Sequence, residues 1–315
     1  MVNKGIYGQR QFYATTGYKT SAGMTFPGSD NVWYVDSGKT SAVTGSGYNW
    51  SDAFLTITEA VSAASANDTI LIKGTDNAET SGTITNDYSE TVIIPATKPG
   101  LKLLGMGNTN KGVAWTVGTQ DEAILTINAK DTYVAGFMLR PNGAATGCAI
   151  YFMCSTDMAD NAVGSTVENC LIRSTTETAL AGIRINAAND ITIKNCIFSS
   201  VVTAVASLEV GGSVQYRTRI LNNQVDDKCT NGFSVGGRSM LIKDNVFSSG
   251  LTIVIDSGQH TSAKDNVVTG NILFCGTSYA ANCVAATDDN WAGNWININT
   301  EGSEVYGGVT VLVPT

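Results

Sequence analysis

The sequence is poor in charged residues, proline and histidine. Charged side chains make up 15% of its 315 residues, and it contains 5 prolines and one histidine. Acidic residues (27) outnumber basic ones (19), which gives a net charge of −8. Nucleic acid is therefore not expected as a partner, because phosphate binding needs clustered Lys and Arg. No stretch reaches the roughly 18 apolar residues of a membrane span, so no span is predicted.

Two further features are missing. The amino terminus has no apolar core of signal-peptide length, which predicts synthesis in the cytoplasm without the common secretory route. The seven cysteines are odd in number and form no CxxC pair, so a zinc site is not expected. No other cofactor is predicted. Because cysteine has a strong preference for burial, these residues are interpreted mostly as buried free thiols.

What the sequence does contain is a recurring phrase. It reads "TVENCLI", "TIKNCIF", "ILNNQV", "LIKDNVF" and "SAKDNVV", centred on Cys170, Cys196, Asn223, Asn245 and Asn266. Successive centres are separated by 26, 27, 22 and 21 residues. A period in the twenties is typical of a solenoid.

Each phrase combines two local signals. Apolar and polar residues alternate, which indicates a strand, and the Asn or Asp pair indicates a sharp bend. Strand, bend, strand and loop describe one coil of a parallel β-helix, in which equivalent residues stack ~4.8 Å apart. This predicts that Cys170 stacks on Cys196, that Ile193 and Ile220 lie inside, and that three residues form an amide ladder: Asn223, Asn245 and Asn266.

The solenoid is predicted over residues 32–275, with different segments at its ends. A helix at about 51–66, with Ser51 or Asp52 as N-cap, is expected to cover the first coil. Its apolar stripe is Phe54, Ile57, Ala60, Val61 and Ala64.

The terminal segments suggest contacts with partners, because aromatic residues are enriched at interfaces. Residues 1–31 are interpreted as an arm that docks on a partner through Tyr7, Phe12 and Tyr13. Residues 276–315, with Trp291 and Trp295, are interpreted as a second cap or an oligomer contact.

The segment "WYVDS" (33–37), the helix pattern and the "ENC", "KNC" and "KDN" corners resemble the pectin-lyase-like right-handed β-helix superfamily. Within it, the chain is similar to the β-helix proteins of bacteriophage virions. The resemblance covers about residues 32–275 and implies an all-β, right-handed parallel β-helix. It says little about function, because this fold carries lyases, hydrolases and structural spikes alike.

The motifs of the superfamily's hydrolases, Gly-His-Gly and Arg-Ile-Lys, are absent, and the single His260 stands outside any such triplet. A lyase needs carboxylates that hold Ca²⁺ and a basic residue that removes a proton. Asp226 and Asp227 are the best catalytic candidates. Asp288–Asp289 is the second candidate carboxylate pair. A predicted Asp244–Asp265 stack, with Lys243 and Lys264 beside it, has a simpler interpretation as exposed charge patterning. Arg217 and Arg219 could serve a lyase, but they alternate on a strand and no superfamily motif surrounds them.

These observations favour a structural role over an enzymatic one. The leading hypothesis is a rigid virion-surface protein that decorates the capsid or forms a small spike, as a homotrimer bound to other virion proteins. The alternative is a tail-tip protein that binds or depolymerises host surface polysaccharide, as a lyase or glycoside hydrolase. In that alternative Trp291, Trp295 and Tyr216 contact the glycan, and Ca²⁺ is required only by a lyase.

Overall fold

A computed structural model describes residues 31–39, 43–74, 87–107, 112–119, 121–143, 147–153, 162–174, 179–208, 215–275, 282–300 and 303–307. The predicted arm with Tyr7, Phe12 and Tyr13 lies outside these ranges, as does Cys154. Within them the chain is an all-β solenoid, a parallel β-helix, as predicted. Among the described residues, no helix is long and apolar enough to cross a membrane.

Each coil runs through three sheets, which we number in the order that the chain visits them. The first sheet has ten strands: Val32–Asp36, Thr69–Lys73, Lys102–Met106, Tyr133–Ala135, Thr166–Glu168, Thr192–Lys194, Arg219–Leu221, Leu241–Lys243, Val267–Thr269 and Asn290–Ala292. The second sheet also has ten: Tyr88–Ser89, Val113–Thr116, Phe137–Arg140, Leu171–Arg173, Ile197–Ser199, Gln224–Val225, Val246–Phe247, Ile272–Cys275, Trp295–Thr300 and Ser303–Gly307.

The third sheet has eight strands: Val92–Ile94, Ala123–Ile127, Cys148–Phe152, Ala181–Asn186, Thr203–Leu208, Asn231–Ser234, Ile253–Asp256 and Cys283–Val284. A separate parallel pair joins Gln215–Tyr216 to Gly237–Arg238. All pairings within the three sheets are parallel except the last one of the second sheet, where Ser303–Gly307 runs antiparallel to Trp295–Thr300. Parallel pairing continues past the predicted boundary at Cys275, through Trp295–Thr300.

The core is a set of stacked apolar columns, because parallel pairing in register places equivalent residues above one another. The column of the first sheet contains Val167, Ile193, Ile220, Ile242, Val268 and Trp291, all buried. The predicted stack of Cys170 on Cys196 is confirmed by the flanking register and by a hydrogen bond from the Ile197 amide to the Cys170 carbonyl. The six described cysteines are buried free thiols.

The tight corner between the first and second sheets explains the repeated phrase. Its first residue adopts a left-handed backbone conformation, with φ between 52° and 68° in Asn169, Asn195, Asn222, Asp244 and Gly270. Asn, Asp and Gly tolerate this conformation best. The next residue points inward. It is Cys170 or Cys196 in the earlier coils, and in the later coils it forms the amide ladder Asn223, Asn245, Asn271 and Asn294.

The prediction that Asn266 belongs to the ladder is wrong, because Asn271 takes the position next to Asn245. Strand Leu241–Lys243 pairs with Val267–Thr269, so this repeat is 26 residues long and the "KDN" of 264–266 belongs to the opposite corner. There Asp265 has a φ of 58°, and the Asn266 side chain accepts a hydrogen bond from the Met240 amide at 3.0 Å. Both ends of a first-sheet strand need the same left-handed bend, so Asn and Asp occur at both corners.

The predicted stack of Asp244 on Asp265 fails for the same reason. The amide of Asp244 bonds to Thr269 of the next coil, and the amide of Asp265 bonds to Thr287 at the other corner. Lys243 and Lys264 each lie 3.7 Å from the aspartate that follows them in sequence. These exposed pairs contribute little to stability.

The amino-terminal end is covered by a short helix, α1 (Ile57–Ala63), and a 3₁₀ turn, Trp50–Asp52. The N-cap of α1 is Thr56, which forms a capping box with Glu59; Ser51 and Asp52 belong to the 3₁₀ turn, which Asn49 caps. The predicted helix was therefore too long. Phe54 lies outside it because its backbone pairs with Tyr34 and Asp36 along the open edge of the first strand.

Both ends of α1 are bound by charged side chains from the following turns. The Glu90 carboxylate accepts hydrogen bonds from the amides of Ile57 at 2.8 Å and Thr58 at 2.9 Å. The Lys98 ammonium donates to the carbonyls of Ser62 and Ala64 at 2.8 and 2.7 Å. Each charge opposes the partial charge of the helix end that it contacts.

We expect Glu90→Ala to lower the free energy of unfolding by about 1–2 kcal/mol, as loss of a helix cap does, because two helix amides lose their acceptor. Urea denaturation followed by circular dichroism measures the change. Glu122→Ala, at an exposed site, is the matched control and should leave stability unchanged. An equal loss in both variants would contradict the capping role.

Candidate functional surfaces

Asp226 and Asp227 lie where the second sheet ends and the chain turns toward the third. The Asp226 carboxylate accepts a hydrogen bond from the Lys228 amide at 3.0 Å, and its own amide bonds to Phe198 of the preceding coil. Asp227 is exposed. Burial raises the pKa of Asp226, although its hydrogen bond with Ser199 acts in the opposite direction. The structure thus gives Asp226 a role in the turn.

Asp226→Asn should stabilise the protein at neutral pH. A carboxyl whose folded pKa is raised destabilises the folded state when ionised, and this cost disappears as the pH falls through that pKa. Asparagine keeps the acceptor for the Lys228 amide without the charge. Urea midpoints at pH 7 and pH 3.5 should show a gain for the variant at pH 7 that shrinks at pH 3.5. A loss of stability at both pH values would contradict this assignment.

Tyr216 lies beside two arginines. The guanidinium carbon of Arg238 lies 5.9 Å from the centre of the Tyr216 ring, so one ring face is already in contact with a cation. Arg217 forms a two-point ion pair with Asp190, with both N–O distances at 2.7 Å. Arg219 lies on the outer face of the first sheet, next to Thr192 and Leu241. Arg217 and Arg219 lie at and beside the first sheet, whereas Asp226 follows the second sheet, so the structure does not bring these two arginines together with Asp226.

The two tryptophans have opposite environments. Trp291 is 1% exposed and continues the inner column of the first sheet over Val268, so the prediction that it contacts a glycan or a partner is wrong. The reason is register: Trp291 is the middle residue of strand Asn290–Ala292 and aligns with the inward-pointing Val268. Trp295 is 48% exposed on the outer face of the second sheet, opposite Ile272. Trp295 remains available for a contact.

The outer face of the third sheet carries a row that the repeated phrase did not indicate. Five successive coils contribute side chains in register, which we call the polar row: Tyr151, Arg184, Ala206, Ser234 and Asp256. The Arg184 guanidinium carbon is 5.4 Å from the Tyr151 ring centre, and the Asn186 amide donates to the Tyr151 hydroxyl at 3.0 Å. The row combines an aromatic ring, a cation, a hydroxyl and a carboxylate.

His260 lies at the edge of this face. Its Nε2 is 3.1 Å from the Ser207 hydroxyl, which also accepts a hydrogen bond from the Gly236 amide at 2.7 Å. A Cβ atom on Gly236 would lie 2.3 Å from the imidazole, so only glycine leaves room for this ring. Burial raises the pKa of the neighbouring Asp256, and His260 partly offsets the effect. The histidine joins two coils across Gly236.

Across the residues that the structure describes, no group of three His, Cys, Asp or Glu side chains is arranged to hold a metal ion. Asp289, a member of a predicted acidic pair, is buried and accepts from the Asn266 amide at 2.9 Å and from the Ser257 hydroxyl at 2.6 Å. Its partner Asp288 is exposed at the corner, with a φ of 60°. The pair therefore shapes the turn.

No protein-family model and no curated protein matches the chain. Among solved structures it is similar to a pectin methylesterase from carrot, with 12% identity, a TM-score of 0.41, and coverage of 89% of this chain and 91% of that one. It is also similar to the PL6 family alginate lyase AlyGC, with 15% identity and a TM-score of 0.33. That match covers 79% of this chain and 40% of the lyase. Both likenesses concern the fold alone.

Proposed function

We propose that this chain is a structural protein of a bacteriophage particle, a rigid β-helix that decorates the capsid or forms a small spike. The observation that carries the proposal is the continuous solenoid: ten strands of the first sheet pair one after another from Val32 to Ala292. At ~4.8 Å per strand they form a rod about 45 Å long. Every coil is hydrogen-bonded to its neighbours, which makes such a rod stiff.

The covered amino-terminal edge supports the same role. An open strand edge invites uncontrolled pairing with other chains, and here the segment around Phe54 and helix α1 occupy it. A surface protein present in many copies benefits from such protection. We place it at the virion surface after synthesis in the host cytoplasm, as a homotrimer bound to capsid or tail proteins. Residues 1–31, with Tyr7, Phe12 and Tyr13, are the proposed docking arm.

Immunogold electron microscopy of intact particles, with an antibody against residues 32–275, tests the proposal. Regular labelling over the head is the expected result for a decoration protein, and labelling at the tail tip would identify a tail component. Particles without label, together with protein free in the lysate, would contradict it.

A second candidate, binding or depolymerisation of a host-surface polysaccharide, is favoured by the polar row. Adjacent side chains in the row are ~4.8 Å apart, and an extended polysaccharide presents ring faces and hydroxyls at a comparable spacing. Tyr151 and Arg184, whose guanidinium lies over the Tyr151 ring, offer an aromatic–cation pair, while Ser234 and Asp256 offer hydrogen-bonding groups. Only a lyase reaction would require Ca²⁺, and the described residues offer no cluster for it.

Binding to immobilised host polysaccharide separates this candidate from a purely structural role. Arg184→Ala should weaken binding at least tenfold if the row is the site, while Arg173→Ala, on the second sheet, should leave it unchanged. Release of reducing ends would add depolymerase activity. Absence of binding by the unmodified protein would remove this candidate.

A further inference from the structure

Two of the buried cysteines lie on either side of one corner near the carboxyl-terminal end of the rod. Cys275 is the last residue of the second-sheet strand Ile272–Cys275, and Cys283 is the first residue of the third-sheet strand Cys283–Val284. Both side chains belong to the core, with exposures of 0% and 1%. The chain therefore leaves one sheet and enters the next with an inward-pointing thiol at each step.

The two thiols are in contact. The Cys283 thiol donates a hydrogen bond to the Cys275 sulfur, which lowers the pKa of Cys275 and raises that of Cys283. Burial opposes the ionisation of both thiols, but at Cys275 the hydrogen bond outweighs it. Because the thiolate is the form that attacks a disulfide, Cys275 is the better nucleophile of the two.

Separate anchors hold each cysteine in this position. Cys283 lies in register with Ile255 of the preceding coil, and the neighbouring Asn282 side chain donates to a carbonyl of that coil at 2.8 Å. Cys275 lies in register with Ile298 of the following coil. Backbone pairing with two different coils therefore brings the two sulfur atoms together.

The stacked Cys170 and Cys196 are also in contact, but their surroundings differ. The Cys170 thiol donates to the Glu168 carbonyl at 3.4 Å, and the Cys196 thiol donates to the Lys194 carbonyl at 3.3 Å. Coils cover this pair on both sides, because the strands that flank it are interior members of the first and second sheets.

The pair at the corner lies at an edge. Among the described strands, Cys283–Val284 is the end strand of the third sheet and pairs on one side only, with Ile253–Asp256. Local opening costs least at such an edge, so a small oxidant reaches Cys275 and Cys283 before it reaches the interior pair.

We propose that Cys275 and Cys283 are a redox pair, which forms an intramolecular disulfide when the protein meets a low-molecular-weight disulfide such as oxidised glutathione. The Cys275 thiolate attacks one sulfur of the oxidant, which gives a mixed disulfide and releases one thiol. The Cys283 thiolate then attacks the Cys275 sulfur and displaces the second thiol. The oxidant takes up two electrons, and the protons of the two cysteines end on the two released thiols.

The disulfide closes the short loop from Cys275 to Cys283 and ties the edge strand of the third sheet to the second sheet. A disulfide stabilises a fold because it restricts the opened chain. The edge strand is thus locked in an oxidising environment and free to open in a reducing one, such as the cytosol. This inference does not depend on the proposed virion role.

Peptide mapping of the full-length protein tests the proposed pair. After incubation with oxidised glutathione and alkylation in denaturant, digestion should yield a peptide linked through Cys275 and Cys283, and dithiothreitol should reverse the link. In Cys283→Ala the reaction should stop at a glutathione adduct on Cys275. Alkylation of both cysteines in the unmodified protein, or earlier oxidation of Cys170 and Cys196, would overturn the inference.

Amide hydrogen exchange measures the effect on the rod. The strands Ile253–Asp256 and Cys283–Val284 should exchange at least about tenfold more slowly in the oxidised protein than in the reduced protein. Cys283→Ala, treated with the same oxidant, is the matched control and should show no such difference. Equal exchange in the oxidised and reduced forms of the unmodified protein would contradict the proposed lock.

Discussion

Asn245→Ala is expected to lower the free energy of unfolding by about 3–5 kcal/mol, since several buried groups lose their partners together. The Asn245 Oδ1 accepts from the Asn223 amide at 2.9 Å and from the Asn223 side chain at 3.0 Å. Its Nδ2 donates to the Ile220 carbonyl and to the Asn271 side chain, both at 2.9 Å. Alanine leaves these groups buried without water to replace the amide.

Urea denaturation followed by circular dichroism measures the loss, with Asn290→Ala as the control. Asn290 is exposed on the outer face of the first sheet, so the same truncation there should change stability by less than about 0.5 kcal/mol. Amide hydrogen exchange should locate the damage in the coils of Asn223, Asn245 and Asn271. A loss below 1 kcal/mol would mean that the ladder contributes little beyond filling space.

The ladder also shows how far sequence reasoning reached. The period, the strand-bend-strand unit and the inward position of Ile193 and Ile220 could be predicted, because stacking forces each coil to repeat the same local chemistry. The register of the last coils could not. An Asp–Asn pair satisfies either end of a first-sheet strand, and only the apolar residues between the corners, such as Val268, show which end is meant.

The candidate surfaces were harder to predict than the fold. Trp291 and Trp295 are four residues apart and chemically identical, yet an inward and an outward register separate them. The polar row was missed because its members share no residue type from coil to coil. Alternation along single strands, such as "AGIRIN" (Ala181–Asn186), was the available signal, since Arg184 takes the outward position between the inward-pointing Ile183 and Ile185.

Asp68→Ala is expected to release the first strand from the solenoid. The buried Asp68 carboxylate accepts from the Asn31 amide at 2.9 Å, the Trp33 indole at 2.7 Å and the Ser65 amide at 2.7 Å. Removing it leaves these donors without an acceptor, at a cost of about 3–5 kcal/mol, because hydrogen bonds to a charged group are the stronger ones. Trp33 fluorescence should shift to longer wavelength as its end of the rod opens.

Asp227→Ala, at an exposed carboxylate, should change neither stability nor fluorescence. The effect of Asp68→Ala should also be local, because coils in a solenoid contact mainly their neighbours. Hydrogen exchange should therefore rise around Val32–Asp36 and helix α1 while the coils beyond Asn223 stay protected. Uniform loss of protection would instead show that the cap nucleates the whole rod. In that case the amino-terminal end would control the folding of the whole rod.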